Sequence, residues 1–220
     1  MSTVWWPTKH RKIFALDVER TDQSINHRLT QIGIMGNVNK HPISFVIDPE
    51  TDTGKSPLTI PGIEVDLANG REPMVFGHYM DVLYDLMQGA IIIVQNHAAN
   101  GDIASIDNEF RRHGREPPKV DRIIDTLWLM RLVKQPGSKS LSAGCAALNL
   151  PLPDPPHNAR ADAVATWRLW IGLCNRHPDV RVYYFNEEFD GVSSYFLKEE
   201  SWLDNARIVP LPYTSTPSVP

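Results

Sequence analysis

The sequence lacks any long hydrophobic run. Its longest uninterrupted apolar stretch is Ala90–Val94, far short of the ~20 residues a membrane-spanning helix needs. Residues 1–12 hold no apolar core, so no secretory leader is read there. Cysteine is scarce: Cys145 and Cys174 make neither a disulfide framework nor a zinc pattern, and a reducing cytoplasm is the expected setting. Neither has a histidine at a spacing that suggests a thiol nucleophile, and both read as buried apolar residues. Basic charge is not in excess, with 22 Lys and Arg against 26 Asp and Glu and a net charge of −4. A protein that held nucleic acid by bulk charge would be basic, so any such contact here has to be local. No internal repeat is present, and 42% hydrophobic with 22% charged residues excludes a wholly disordered or fibrous chain. A length of 220 residues suits one good-sized domain, or one domain with a tail.

What is present alternates between strand-like and helix-like patterns. Residues 13–19 (IFALDVE), 30–37 and 43–47 read as three strands joined by short turns, a meander. Residues 50–72, rich in Gly, Pro, Asp and Thr, read as loop. A helix is expected over 73–87, with Val75, Tyr79, Val82, Leu83 and Leu86 on one stripe and Gly89 past its end. Residues 90–95 and 120–124 add two short strands. Helices are expected over 102–113, 126–133, 140–148 and 159–174, the last after the proline-rich 151–156 (PLPDPP), which must stay extended. Trp167 and Trp170 fall at helical spacing and read as core. The order implies an α/β fold, a mixed five-stranded sheet flanked by helices. Residues 177–220 form an aromatic tail, with Tyr183, Tyr184, Phe185, Phe189, Tyr195, Phe196 and Trp202, whose last ten or so residues are expected to be disordered.

Three pieces carry the chemistry. Asp17 and Glu19 close the first strand two residues apart, so both side chains leave the same face. Two carboxylates on one face suit a hard divalent cation, or else they mark a strand end that meets solvent. Asp102 opens the helix after the most apolar strand, at the carboxyl end where α/β sheets bind ligands, or else it is a helix cap. His157-Asn-Ala-Arg-Ala-Asp162 follows the stiff loop. A histidine titrating near ~6.5 can take a proton from water, and Asp162 can complete a metal site; the plain alternative is a surface histidine beside a helix-start acid.

Taken in order, Asp17-Val18-Glu19, His97-Ala98-Ala99-Asn100-Gly101-Asp102 and His157–Asp162 resemble the motifs of the DEDDh group of DnaQ-like 3′→5′ exonucleases. The resemblance covers about residues 12–175, with Glu109-Phe110 and Asp125-Thr126 as supporting matches. It implies a ribonuclease H-like fold over residues 1–176, two divalent metal ions (Mg2+ or Mn2+) held by Asp17, Glu19, Asp102 and Asp162, and His157 as general base. Substrate contacts are expected at Val18, His97 and Asn100, and at Arg20 either a phosphate contact or a solvated side chain. The chain departs from the pattern after Glu19, where Arg20-Thr21-Asp22 replace the usual Thr-rich flank, and at Ala98 and Gly101, where Asn and Phe are usual.

Hydrolysis of single-stranded or frayed DNA 3′ ends, in proofreading, repair or end trimming, is the leading expectation. RNA is a close rival, and a binding module that keeps the fold without useful activity belongs to another class. Local strand contacts are expected from Lys9-His10-Arg11-Lys12, His27-Arg28, Arg111-Arg112 and Arg115, with Trp5 and Trp6 able to stack on bases; each also reads as ordinary surface or packing. The aromatic tail is a candidate dock for a polymerase or another replication or repair protein.

Overall fold

The computed structural model describes residues 12–22, 26–38, 41–51, 56–98 and 100–177. The N-terminal basic cluster up to Arg11, Trp5, Trp6 and the tail beyond His177 lie outside the described residues. The elements run β1 (Ile13–Arg20), β2 (Leu29–Gly36), β3 (Ile43–Asp48), α1 (Ile63–Ala68), β4 (Met74–Val75), α2 (Phe76–Met87) and β5 (Ile91–Val94). They continue through α3 (Asp102–Arg112), β6 (Arg122–Asp125), α4 (Thr126–Leu132), α5 (Leu141–Ala147) and α6 (Ala159–Arg176). The sheet order is β4-β3-β2-β1-β5-β6. β1 to β3 form the expected antiparallel meander, while β5 and β6 run parallel to β1.

The sheet has six strands, one more than expected. The extra strand is β4, only two residues long and paired parallel to β3. Two residues are too few to show any period, and Met74 and Val75 read instead as the start of the helix. The loop read over 50–72 also holds a 3-10 turn at Pro57–Thr59 and the helix α1, too short to show periodicity. In α2 the buried residues are Phe76, Leu83 and Met87, whereas Val75 and Val82 of the expected stripe are exposed.

Period-two alternation along β1 sorts the core into two layers. Phe14, Leu16 and Val18 pack with α2 and α3 residues Phe76, Leu83, Ile103, Ile106 and Phe110. Ile13 and Ala15 face the other way, with Ile91, Ile93 and Ile124, toward Leu129 of α4, Cys145 of α5 and Trp167, Trp170 and Cys174 of α6. The two indoles are buried as expected, with ring centroids 5.1 Å apart, and both cysteines are buried and form no disulfide. Among the described residues no helix is long and apolar enough to cross a membrane.

The face of α6 meets β2 at Gly33. A β-carbon there would lie 2.0 Å from the Ala159 carbonyl oxygen and 2.4 Å from the Arg160 nitrogen. Both are main-chain atoms of the first turn of α6, so the conflict cannot be relieved by a side-chain rotation. Gly33→Ala is expected to lose stability by about 1–3 kcal/mol or more in urea denaturation. Gly77→Ala, whose new methyl meets only His113 at an ordinary 3.4 Å, is the near-neutral control. Equal stability of the two variants would contradict this packing.

Candidate active site

The alternation that buries Ile13 and Ala15 on the α6 side carries Asp17 and Glu19 to that same side. Their antiparallel neighbours on β2 are Gly33 and Gln31, so all four positions share one face. Val18 lies between the two acids and is buried in the opposite layer, so it offers the site no side chain. The register slips between Glu19 and Arg20, a bulge at the strand end.

Gln31 and Gly33 seat the first turn of α6. Gly33 leaves room for the Ala159 main chain, and the Ala159 N–H donates to Gln31 Oε1 at 2.8 Å. Asn158, fully buried, caps the helix by accepting from the Arg160 and Ala161 N–H groups at 3.1 and 3.2 Å. Its amide donates to the Pro61 carbonyl at 3.0 Å. Beneath this turn lies Asp66 of α1, wholly buried. Its carboxylate accepts from Gln31 Nε2 at 2.8 Å and Ser44 Oγ at 2.7 Å, and pairs with Arg71 at 3.1 Å and Arg160 at 3.4 Å. The helix start is thereby tied to β2, β3 and α1, and Asp162 stands three residues along it, across from Asp17.

Ligand oxygens of Asp17, Glu19 and Asp162 all lie within 4.8 Å of one another. His157 is exposed on the turn before the cap, with φ 58. A non-glycine residue in this left-handed region is uncommon, and such conformations gather at functional sites. Its backbone N–H and its ring both act on the Asp162 carboxylate.

Asp102 comes from the other side of the cluster. It is the first residue of α3, and the cap position belongs to Gly101, so Asp102 is not the helix cap. The preceding loop is tightly bonded: Gly101 N–H to the Ala98 carbonyl at 2.9 Å, and Ser105 Oγ to the Gly101 carbonyl at 2.9 Å. Buried His27 in turn contacts Ser105 Oγ at 2.7 Å. Arg20 Nη1 donates to the Asn100 carbonyl at 2.7 Å, linking the end of β1 to this loop. Asp125 caps α4 and also accepts from the Asn96 and His97 N–H groups at 2.9 and 3.1 Å, fixing the start of the loop.

The carboxylates raise one another. Burial pushes Asp17 well above the usual carboxylate range, and Asp102, Asp162 and Glu19 push it further, against Arg20. Asp102 is pushed up to about 7, by burial first and by Glu19, Asp125 and Asp162, again opposed by Arg20. Asp162 is pushed up to about 6 by burial, opposed by His157. Three convergent hard oxygen donors, from Asp17, Glu19 and Asp162, fit a divalent cation such as Mg2+ or Mn2+, whose charge would relieve the repulsion.

The basic groups expected to touch a strand are largely turned inward. Arg28 and Arg112 both bind buried Glu109, at 2.7 and 2.8 Å. Arg115 pairs with Asp81 and lies over the Tyr84 ring, 4.4 Å from its centre. Lys12 bonds the Asp85 carbonyl. Arg111, 55% exposed, stays at the surface. Sequence reasoning missed Gln31, Gly33 and Asp66. A glutamine and a glycine inside a buried strand were a signal for the first two; Asp66 carried none.

Without metal these acids should couple stability to pH. A carboxylate whose folded pKa lies above its unfolded value near ~4 stays protonated longer in the folded chain. The unfolded chain therefore releases its protons first, and stability falls as pH rises from about 4 to about 7, the level of Asp102. In EDTA the melting temperature is expected to be lower at pH 7.5 than at pH 5, and Mn2+ to raise it more at pH 7.5. A melting temperature in EDTA that climbs over this interval would contradict the arrangement.

Scans of the sequence against protein-family models and against curated proteins match nothing. Solved structures do match. The nuclease domain of 3′hExo, a DEDDh family member, bound to rAMP, aligns with a TM-score of 0.59 at 14% identity, over 78% of this chain and 96% of that domain. The 3′-exonuclease in a structure of 3′-end specific recognition of histone mRNA stem-loop aligns at 0.58 and 16% identity, over 76% of this chain and 65% of that one. A chain from the yeast NOT1 MIF4G domain co-crystallized with CAF1 aligns at 0.54 and 11%, over 76% and 81%. The fold is that of the DEDDh 3′-exonuclease nuclease domains, ribonuclease H-like, as the motifs implied.

Proposed function

We propose that the protein is a metal-dependent 3′→5′ exonuclease that removes nucleoside monophosphates from single-stranded or frayed 3′ ends. The observation that carries this reading is the convergence of Asp17, Glu19 and Asp162, with Asp102 on one side and His157 on the other. Two divalent ions bound there would supply an activated water and a counter-charge for the leaving oxygen.

The chain's own groups have distinct tasks. Asp17, together with Glu19 and Asp162, would hold the cation. His157, exposed beside Asp162, takes the proton of the attacking water on its imidazole. Asp102 lies beside the same group of acids and balances charge on the α3 side. Exposed Asn100 and half-buried His97 stand in the loop before Asp102, where a strand end could meet them. Crowding four half-buried acids together is unfavourable unless something is bound there, which argues against a binding module that has given up chemistry.

DNA is the strand expected from the sequence. RNA is the second reading, supported by fold neighbours bound to rAMP or recognising a histone mRNA stem-loop. Carboxylates and a histidine address the phosphodiester and the water, which both polymers share, so the choice falls to contacts with the sugar.

The test is cleavage of 5′-labelled single-stranded DNA and RNA of one sequence, with Mg2+, Mn2+ or EDTA. A metal-dependent ladder shortening from the 3′ end is expected, and the ratio of rates assigns the strand. Asp17→Ala should fall to the EDTA level with its circular dichroism unchanged. His157→Ala should lose about 10²–10⁴ in rate while Mn2+ affinity stays near that of the unaltered protein. Wild-type rates from folded Asp17→Ala would end this reading.

A further inference from the structure

Arg20 stands where the resemblance expects a small hydroxyl residue, directly after a cluster acid, and the structure gives it a defined seat. Its Nη1 is 2.7 Å from the Asn100 carbonyl, two residues before Asp102. That carbonyl belongs to the loop locked by the Gly101–Ala98 and Ser105–Gly101 bonds, so the guanidinium is anchored to fixed main chain rather than trailing in solvent. From there its field reaches both Asp17 and Asp102, and at Asp102 it is the largest charge effect opposing burial. The far side of the cluster differs. There Asp17, Glu19 and Asp162 converge to within 4.8 Å, and Asp102 is not part of that convergence.

Taking the cluster as a divalent-cation site, as proposed above, we infer that Arg20 is a resident cation on its Asp102 side that competes with a second divalent ion. The Asp17–Glu19–Asp162 side takes one ion tightly, and the Arg20–Asp102 side takes a second much more weakly. Charge balance points the same way. Four carboxylates can balance two dications, but a guanidinium anchored at the Asn100 carbonyl, its field reaching Asp17 and Asp102, already offsets part of that negative charge. Affinity for a hard cation follows the ligand charge left over. Arg20 is thus a specificity-determining residue for ion number and affinity.

The experiment is Mn2+ binding to the full chain by calorimetry and by electron paramagnetic resonance, which needs no substrate and no turnover. The unaltered protein should bind one ion at least tenfold more tightly than a second. Arg20→Thr should tighten the second ion tenfold or more and leave the first within threefold. Arg20→Lys, which keeps the charge and loses the planar fork, should behave as the unaltered protein. Asp102→Asn should weaken the second ion further and abolish the effect of Arg20→Thr in the double variant. Circular dichroism melts establish that each variant is folded.

Unchanged constants in Arg20→Thr overturn the inference, as does Arg20→Lys behaving like Arg20→Thr. A rise in KM for the strand with unchanged ion constants also overturns it and makes Arg20 a phosphate contact. Two equally tight, Asp17-dependent ions in the unaltered protein overturn the Arg20 inference alone. No Mn2+ binding at all, insensitive to Asp17→Ala, overturns the metal-site reading and this inference with it.

Discussion

The carbonyl of Ala159 occupies the space that a β-carbon at position 33 would need. This close approach of helix to strand governs the placement of everything at the site. Gly33 lies opposite Asp17, and Gln31, opposite Glu19, receives the Ala159 N–H. The sheet therefore supplies both a gap and an acceptor for one turn of helix, beside its own pair of acids. Asp162 follows in the next residues of that turn, and His157 immediately precedes the cap. A helix seated by a side chain at position 33 would stand off from the strand and take Asp162 out of reach of Asp17.

The site gathers charge that the rest of the molecule has to contain. Asp17, Asp102 and Asp162 are all harder to ionise than free carboxylates, by burial and by one another. Around them the chain does the opposite and matches each buried acid with donors. Asp66 has two arginines, a glutamine and a serine. Glu109 has Arg28 and Arg112. The matched acids act as structure, since removing either partner would leave a buried charge uncompensated. Asp17, Asp102 and Asp162 instead raise one another, a repulsion that a bound cation would relieve.

Much of this was legible in the sequence, for physical reasons. Period two along a single strand was enough to put Asp17 and Glu19 on one face, because side-chain direction in a strand is a local property. The burial of Trp167, Trp170 and both cysteines followed from helical spacing and composition in the same way. What failed depended on partners far along the chain. β4 exists only as an addition to β3. The apolar stripe of α2 was misplaced because its first residues join that strand, turning Val75 and Val82 outward. The basic clusters looked like surface until Glu109, 81 residues from Arg28, drew both Arg28 and Arg112 inward. Gln31 and Gly33 gain their meaning only when β2 is registered against β1 and α6 is laid across it.

The departures from the motif pattern form one local solution rather than scattered losses. A β-carbon at position 101 would stand 3.0 Å from the Ala98 carbonyl and 3.1 Å from its nitrogen, so any larger residue there would press on the main chain of this turn. With glycine, the turn closes through the Gly101–Ala98 hydrogen bond and leaves the Asn100 carbonyl pointing at the end of β1. A short hydroxyl side chain at position 20 could not span that gap, whereas the long planar guanidinium of Arg20 does. The tight loop and the arginine thus fit each other: one presents the acceptor, the other reaches it. Together they brace Asp102 from the side opposite α6 and bring a fixed positive charge to a cluster of acids.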